Sequence, residues 1–206
     1  MKKLLIALAL LIGLTMAVAC RATETYNPRD GDIVFQVSRS KQSRAVQLVT
    51  GSPYSHMGIV YLRDGDPIVF EAVEPVKTTP LPEWIARGAK GHVAIKRLRN
   101  ADQLLDRDAI QRMLEEGRAF NGKHYDLRFE WSDDRIYCSE LVWKIYNRAL
   151  GIELSGLETV SDFNLDQLEV RTVVNTRWDG VPPPEQKIVS PAAIFESELL
   201  VTVYEN

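Results

Sequence analysis

Two apolar runs, residues 56–62 and 67–73, are separated only by Arg63-Asp64-Gly65-Asp66. Asp-Gly between such runs is a strong signal for a two-residue hairpin turn. A turn centred on Asp64-Gly65 pairs Arg63 with Asp66, and the rest of the register follows. Tyr61 meets Ile68, Ile59 meets Phe70 and Met57 meets Ala72, while Gly58 faces Glu71 and His56 faces Val73. Strand side chains alternate, so His56 and Glu71 share one face, as diagonal neighbours about 7–8 Å apart by backbone and closer by side chain. A slip of one residue would carry Glu71 to the other face. A carboxylate in that place can accept the imidazole N–H and set the tautomer of the ring.

The remaining pattern mixes strands and helices. A strand over residues 33–37 follows Asp30-Gly31-Asp32, and a short helix over 44–49 ends at Thr50-Gly51. A helix over 81–87 and a strand over 92–98 come next. Residues 101–119 and 136–150 carry helical periodicity, the second with Leu141, Val142, Ile145, Tyr146 and Ala149 on one stripe and Gly151 at its end. The following stretch reads as irregular until Ser190-Pro191, an N-cap and first-turn pair. A closing strand is expected over 199–204. This mixture predicts an α+β fold. No internal repeat or low-complexity linker interrupts it.

Hydrophobic residues make up 45% of the 206 residues and charged residues 26%, ordinary values for a globular chain. They exclude intrinsic disorder. With 12 Gly, 10 Pro and 2 Cys, collagen-like and disulfide-stapled scaffolds are excluded too. The formal charge of -3 gives a nucleic-acid partner no electrostatic support.

Residues 1–19 have the form of a secretory signal: Lys2 and Lys3, an uncharged apolar run, then Ala17-Val18-Ala19 before Cys20. The run is short of the roughly 20 residues of a spanning helix. Cys20 has two readings, a chance residue after a signal-peptidase site or the lipid-bearing cysteine of a bacterial lipoprotein. Ala17 stands where a lipobox usually has Leu. Both readings place the mature protein in the periplasm or cell envelope, the second with membrane anchorage through Cys20. Residues 20–29 then form a tether and 30–206 the folded domain.

Cys138 is the lone cysteine of that body and opens the helical stretch Ser139-Glu140-Leu141-Val142. A helix N-terminus favours negative charge and hence a thiolate. An imidazole beside it would lower the thiol further and could carry the proton in acyl transfer. Cysteine, histidine and an orienting polar group form the papain-like arrangement. The plainer reading is a small buried hydrophobe.

The surrounding words have a wider meaning. Gly31-Asp32-Ile33-Val34-Phe35 followed by Ser55-His56-Met57-Gly58-Ile59-Val60-Tyr61 resembles one half of the NlpC/P60 superfamily. Gly122-Lys123-His124-Tyr125-Asp126, then Tyr137-Cys138-Ser139-Glu140-Leu141-Val142, resembles the other half, with its "CSGLV" word. The cysteine half usually comes first and here comes second. That order is similar to the circularly permuted branch, which includes the YiiX/YaeF-like papain-fold amidases and the lecithin–retinol acyltransferase-like proteins. The similarity to the YiiX-like group extends through Phe70-Glu71-Ala72-Val73, Trp131-Ser132-Asp133-Asp134-Arg135 and Val189-Ser190-Pro191.

The resemblance implies a permuted papain-like fold, an antiparallel sheet packed on a helix that bears the nucleophile. It implies Cys138 as nucleophile, His56 as general base and Glu71 as the orienting group, where a second histidine is common in the superfamily. Tyr125 would contact the oxyanion or substrate, with the Cys138 backbone N–H as the other donor. Tyr54, two residues before His56, is a gate to the cleft or a packing residue. Glu140 replaces the glycine of "CSGL", which predicts altered substrate contacts near the helix start.

The expected activity is that of a cysteine hydrolase, an amidase, esterase or peptidase working through an acyl-enzyme. The other reading is an acyl-chain-binding module with a vestigial triad. The substrate would be a small molecule, a lipid-acyl compound or a peptidoglycan-derived peptide. Residues 38–51, with Ala45, Val46, Leu48 and Val49, could wall the cleft or pack the core. No cofactor is expected, and three scattered histidines without a second body cysteine do not make a zinc site. His92 reads as a surface residue, His124 as a neighbour of the cleft, and Trp131 and Trp143 as packing or cleft wall.

Overall fold

A computed structural model describes residues 26–178 and 182–206. The signal segment, Cys20 and most of the tether lie outside the described residues. Strands β1 (Ile33–Gln36), β2 (His56–Arg63), β3 (Asp66–Glu71), β4 (Lys77–Pro80) and β5 (Val93–Leu98) occupy the first half, with helices α1 (Lys41–Thr50) and α2 (Leu81–Arg87). The second half holds α3 (Ala101–Leu104), α4 (Arg107–Phe120), the short strands β6 (His124–Tyr125) and β7 (Arg135–Ile136), then α5 (Cys138–Leu150). It closes with β8 (Glu158–Thr159), α6 (Leu168–Arg177), β9 (Lys187–Ile188), α7 (Pro191–Phe195) and β10 (Leu200–Glu205). The main sheet has six strands in the order β10-β5-β1-β2-β3-β4, all neighbours antiparallel.

The hairpin has the register that its turn dictates: Arg63 pairs with Asp66, Tyr61 with Ile68 and Ile59 with Phe70. Asp64 and Gly65 both have positive φ, 54° and 91°, the backbone of a tight hairpin turn. Gly58 is needed for a different reason. A Cβ there would lie 2.5 Å from Val69 Cγ1 and 2.8 Å from the Phe70 carbonyl oxygen, so only glycine lets the two strands approach this closely beside Glu71.

Alternation divides the sheet between two cores. Ile33, Phe35, Met57, Ile59 and Phe70 face α4 and α5, meeting Met113, Leu141, Val142, Ile145 and Tyr146. Each such side chain, once buried, contributes about 1.5–3 kcal/mol. Val34, Val60, Val69, Val93 and Ile95 face the other way, onto Leu81 and Trp84 of α2. By parity, His56 and Glu71 belong to the α2 side. The helix that begins at Cys138 packs on the opposite side. The two sets of chemical groups can therefore meet only at the end of the sheet, where β2 and α5 both begin.

Three local expectations are corrected. The stretch 101–119 is two helices, because Leu105 leaves helical geometry and the Asp106 carboxylate accepts the Ala109 N–H at 2.8 Å, capping α4. Strand β4 extends the sheet past the hairpin. The segment before Ser190 is not irregular throughout, since it contains α6. This helix has no side-chain cap at Gln167, and its β-branched Val170, Thr172, Val173, Val174 and Thr176 favour helix weakly. Packing against α1 holds it.

Candidate active site

Cys138 is the first residue of α5. Tyr137 stands at the N-cap with extended backbone, and its side chain caps none of the first-turn N–H groups. Two bonds to the segment before α7 hold this helix start: Ser139 Oγ donates to the Val189 carbonyl at 2.8 Å, and the Val189 N–H donates to the Tyr137 hydroxyl at 3.1 Å. The thiol is 3% exposed.

His56 begins β2, and its Nε2 lies 2.6 Å from Glu71 Oε2. Its other ring nitrogen, Nδ1, is the one left for the thiol. Glu71 is fully buried and is surrounded by donors. Besides His56 it accepts from Thr79 Oγ1 at 2.7 Å, Trp84 Nε1 at 2.9 Å and the Arg87 guanidinium. Trp84 also stacks on the imidazole, with ring centroids 6.0 Å apart. Sequence reasoning missed Thr79, Trp84 and Arg87. The i, i+3 spacing of Trp84 and Arg87 on the expected helix was the available signal.

The charges follow from these contacts. Burial raises the Glu71 carboxyl, but hydrogen bonds and charge from His56, with Arg87 and Thr79, bring it down to about 2. Burial disfavours a charged His56, yet the hydrogen bonds to Cys138 and Glu71 and their negative charges lift the ring to about 9. Burial pushes the Cys138 thiol up, and the His56 cation with the backbone N–H groups of Met57 and Ser139 more than reverse this. The shifts of both groups run toward a thiolate facing an imidazolium, with the Glu71 carboxylate behind it.

Two openings meet at this pair. One is a narrow cavity of ≈ 110 Å³ with almost wholly apolar walls, and Cys138 lies on it. Val46 and Val49 of α1 and Val170, Val173 and Val174 of α6 wall the cavity. Ala45 and Leu48 do not line it. The other opening is a groove of mixed lining that reaches His56, with the polar residues Gln36, Ser38, Arg39 and Glu74 along it. Gln42, Ser55 and Tyr125 border both.

Tyr125 pairs with Ile136 in the β6–β7 ladder, just before α5, and its hydroxyl faces the thiol. Burial and the charge of Cys138 raise this phenol well above its ordinary value. Tyr54 is not at the site. It lies in the core against Phe35 and Phe195, donates to Glu205 at 2.7 Å and lines neither opening. His124 is exposed and bonded to Glu74 at 2.6 Å, and His92 stacks on Tyr54.

Glu140 does not contact the openings either. It is buried behind Cys138, 2.6 Å from Lys144 Nζ, which also donates to the Ser132 carbonyl and to Asp133. Trp131 and Trp143 pack edge to face at 5.4 Å.

Residues 27–204 match the family described as permuted papain-like amidase enzyme, YaeF/YiiX, C92 family. The chain belongs to this family. It is 43% identical over 178 residues to the uncharacterized protein YiiX of Escherichia coli K12, covering 86% of this chain and 87% of that one. A crystal structure of YiiX from Escherichia coli O157:H7 superposes with a TM-score of 0.83 at 42% identity, over 88% of this chain and 99% of that one. The α+β permuted papain-like fold expected from the two motif halves is the fold of this family. The O157:H7 protein is described as a metalloprotein. Among the residues described here, no three His, Cys, Asp or Glu side chains are grouped to hold a metal. His56 and Glu71 are engaged with each other and with Thr79, Trp84 and Arg87, so the site's donor set does not fit a metal centre.

Proposed function

We propose that the chain is a cysteine-dependent amide or ester hydrolase of the bacterial envelope that works through Cys138, His56 and Glu71. The observation that carries this reading is the buried His56 imidazole bonded to the Glu71 carboxylate on one side and facing the Cys138 thiol on the other. The thiolate attacks the substrate carbonyl carbon, a C–S bond forms, and the carbonyl electron pair moves to oxygen. The Cys138 N–H and the Tyr125 hydroxyl are the donors placed to meet that oxyanion. Nδ1 of His56 passes its proton to the leaving amine or alkoxide as the C–N or C–O bond breaks. Water then loses a proton to the same nitrogen, attacks the thioester and releases the acid with the thiolate restored.

The two openings support an acyl substrate with a polar leaving group. The apolar cavity takes the acyl chain, and the groove with Gln36, Ser38, Arg39 and Glu74 along it takes the amine or alcohol. A water-sized site occupies about 10–15 Å³ on the same measure, so ≈ 110 Å³ suits a chain of several carbons better than a branched peptide. An acyl-binding module would use the same cavity, but it has no need of the charged pair.

The test is hydrolysis of p-nitrophenyl esters and matched anilides of increasing chain length. Activity abolished by Cys138→Ala and nearly abolished by His56→Ala is expected. Equal turnover by Cys138→Ala would refute the reading. Mass spectrometry of the mature N-terminus tests the envelope placement. A start at Cys20, lipidated or free, fits a cleaved signal, and an intact Met1 would refute it.

A further inference from the structure

The Tyr125 hydroxyl carries a single proton, and its use at the oxyanion requires that this proton point to the reacting centre. Two residues outside the triad bear on its direction. Gln42 of α1 approaches the Tyr125 hydroxyl through Nε2 at 3.2 Å, and Arg177 at the end of α6 approaches Gln42 Oε1 through its guanidinium at 2.9 Å. A guanidinium has donors only, so the atom of Gln42 that faces Arg177 must be the carbonyl oxygen. The amide of Gln42 is thereby set, and the atom facing Tyr125 must be its NH2. That group donates into a lone pair of the phenol oxygen. Tyr125 cannot return its own proton to a donor, so the O–H turns to the remaining acceptor it faces, the Cys138 sulfur and the space in front of it.

Arg177 is anchored in turn. Its guanidinium also donates to the Leu127 carbonyl at 3.2 Å, and its own carbonyl accepts from Arg128 at 2.9 Å. The segment that carries Tyr125 and the helix that walls the apolar cavity thus hold the relay between them. We infer that Gln42 and Arg177 are positioning residues that aim the Tyr125 hydroxyl proton at the sulfur and, during acyl transfer, at the oxyanion. The inference rests on the cysteine-hydrolase reading above.

Gln42→Glu separates this role from a merely structural one. The shape is kept, and the tie to Arg177 becomes an ion pair, so the α1–α6 contact survives. A carboxylate cannot donate, however, and it would draw the Tyr125 proton away from the sulfur. The measurement is the pH dependence of Cys138 alkylation by iodoacetamide, which reports thiolate formation and needs no substrate. A hydrogen bond to a charged group is worth about 1.5–3 kcal/mol, or roughly one to two pH units.

Tyr125→Phe should raise the alkylation midpoint by about one unit on that scale. Gln42→Glu should raise it comparably, and Arg177→Met in the same direction by less. In the Tyr125→Phe background, Gln42→Glu should add little, because residues acting through one group are non-additive. An unshifted midpoint in Gln42→Glu, or an equal shift with and without Tyr125, overturns the relay alone. An unreactive thiol in the unaltered protein overturns both the relay and the hydrolase reading.

Discussion

Glu71→Gln is the most informative single change. Glutamine keeps the size of the side chain and can place its oxygen where Oε2 now receives His56, Trp84 and Arg87. Its NH2 then faces Thr79, whose hydroxyl can rotate to accept. Geometry and tautomer survive, and the negative charge is lost. A unit charge at about 4 Å is worth roughly 4 kcal/mol at an effective dielectric near 20. One pKa unit is about 1.36 kcal/mol. The carboxylate is therefore one strong source of the rise of His56 from 6.5 to about 9, beside the hydrogen bond and charge of Cys138. Burial continues to oppose the imidazolium in the variant, and Arg87 stands beside it without its counter-charge. The basic limb of kcat/KM, expected near the value of about 9 at His56, should fall by about one unit, since Cys138 still holds the ring. The rate at neutral pH should fall about 10- to 100-fold, less than the roughly 10²–10⁴ that proton transfer itself contributes. The assay is a pH–rate profile on an activated ester beside the pH dependence of thiol alkylation. A basic limb that stays near 9 would refute Glu71 as a source of the raised imidazole.

The same carboxylate makes a stability prediction. Its pKa falls from 4.5 in the free group to about 2 in the fold, so its contribution is complete above pH 4.5 and is lost as pH falls through about 2. Urea midpoints measured across that window should decline less steeply in Glu71→Gln than in the parent. Val173→Trp fills the apolar cavity from α6 and should cut turnover of long-chain esters more than that of acetyl esters, read as the ratio of kcat/KM values. Lys144→Met strips the buried Glu140, which burial already raises to about 8, of its partner and should cost about 1–3 kcal/mol in chemical denaturation near neutral pH. Glu140→Gln, which leaves Lys144 bonded to Ser132 and Asp133, should cost much less.

What could be read in the sequence were features with a local cause. The Asp64-Gly65 turn and strand parity suffice to put His56 and Glu71 on one face, and their polar atoms are 2.6 Å apart. The apolar stripe and Gly151 suffice for α5. Features whose cause lies elsewhere in the chain were not readable. Helix α6 has weak propensity and no side-chain cap, and it exists because α1 is there to pack on. The donors around Glu71 come from β4 and α2, and no spacing rule links Thr79 to Arg87. Tyr54, adjacent to the site in sequence, points into the core because Phe35, Phe195 and Glu205 are there to receive it. Glu140 stands where the resemblance has the glycine of "CSGL" and altered substrate contacts are expected, yet burial and Lys144 turn it away from the openings.

The meeting of thiol and imidazole at the end of the sheet bears on the order of the two halves. Each group is the first residue of its element, Cys138 of α5 and His56 of β2; β2 is an interior strand of the sheet, α5 packs on one face of it, and His56 belongs to the other face. Nothing in that geometry depends on which element is made first or on how long the chain between them is. Doubling a connecting loop changes its closure entropy by only about 0.6 kcal/mol. A gene rearrangement that joins the old ends and opens the chain elsewhere therefore leaves the reacting atoms where they were, and selection can act on the new connections while the chemistry stays intact.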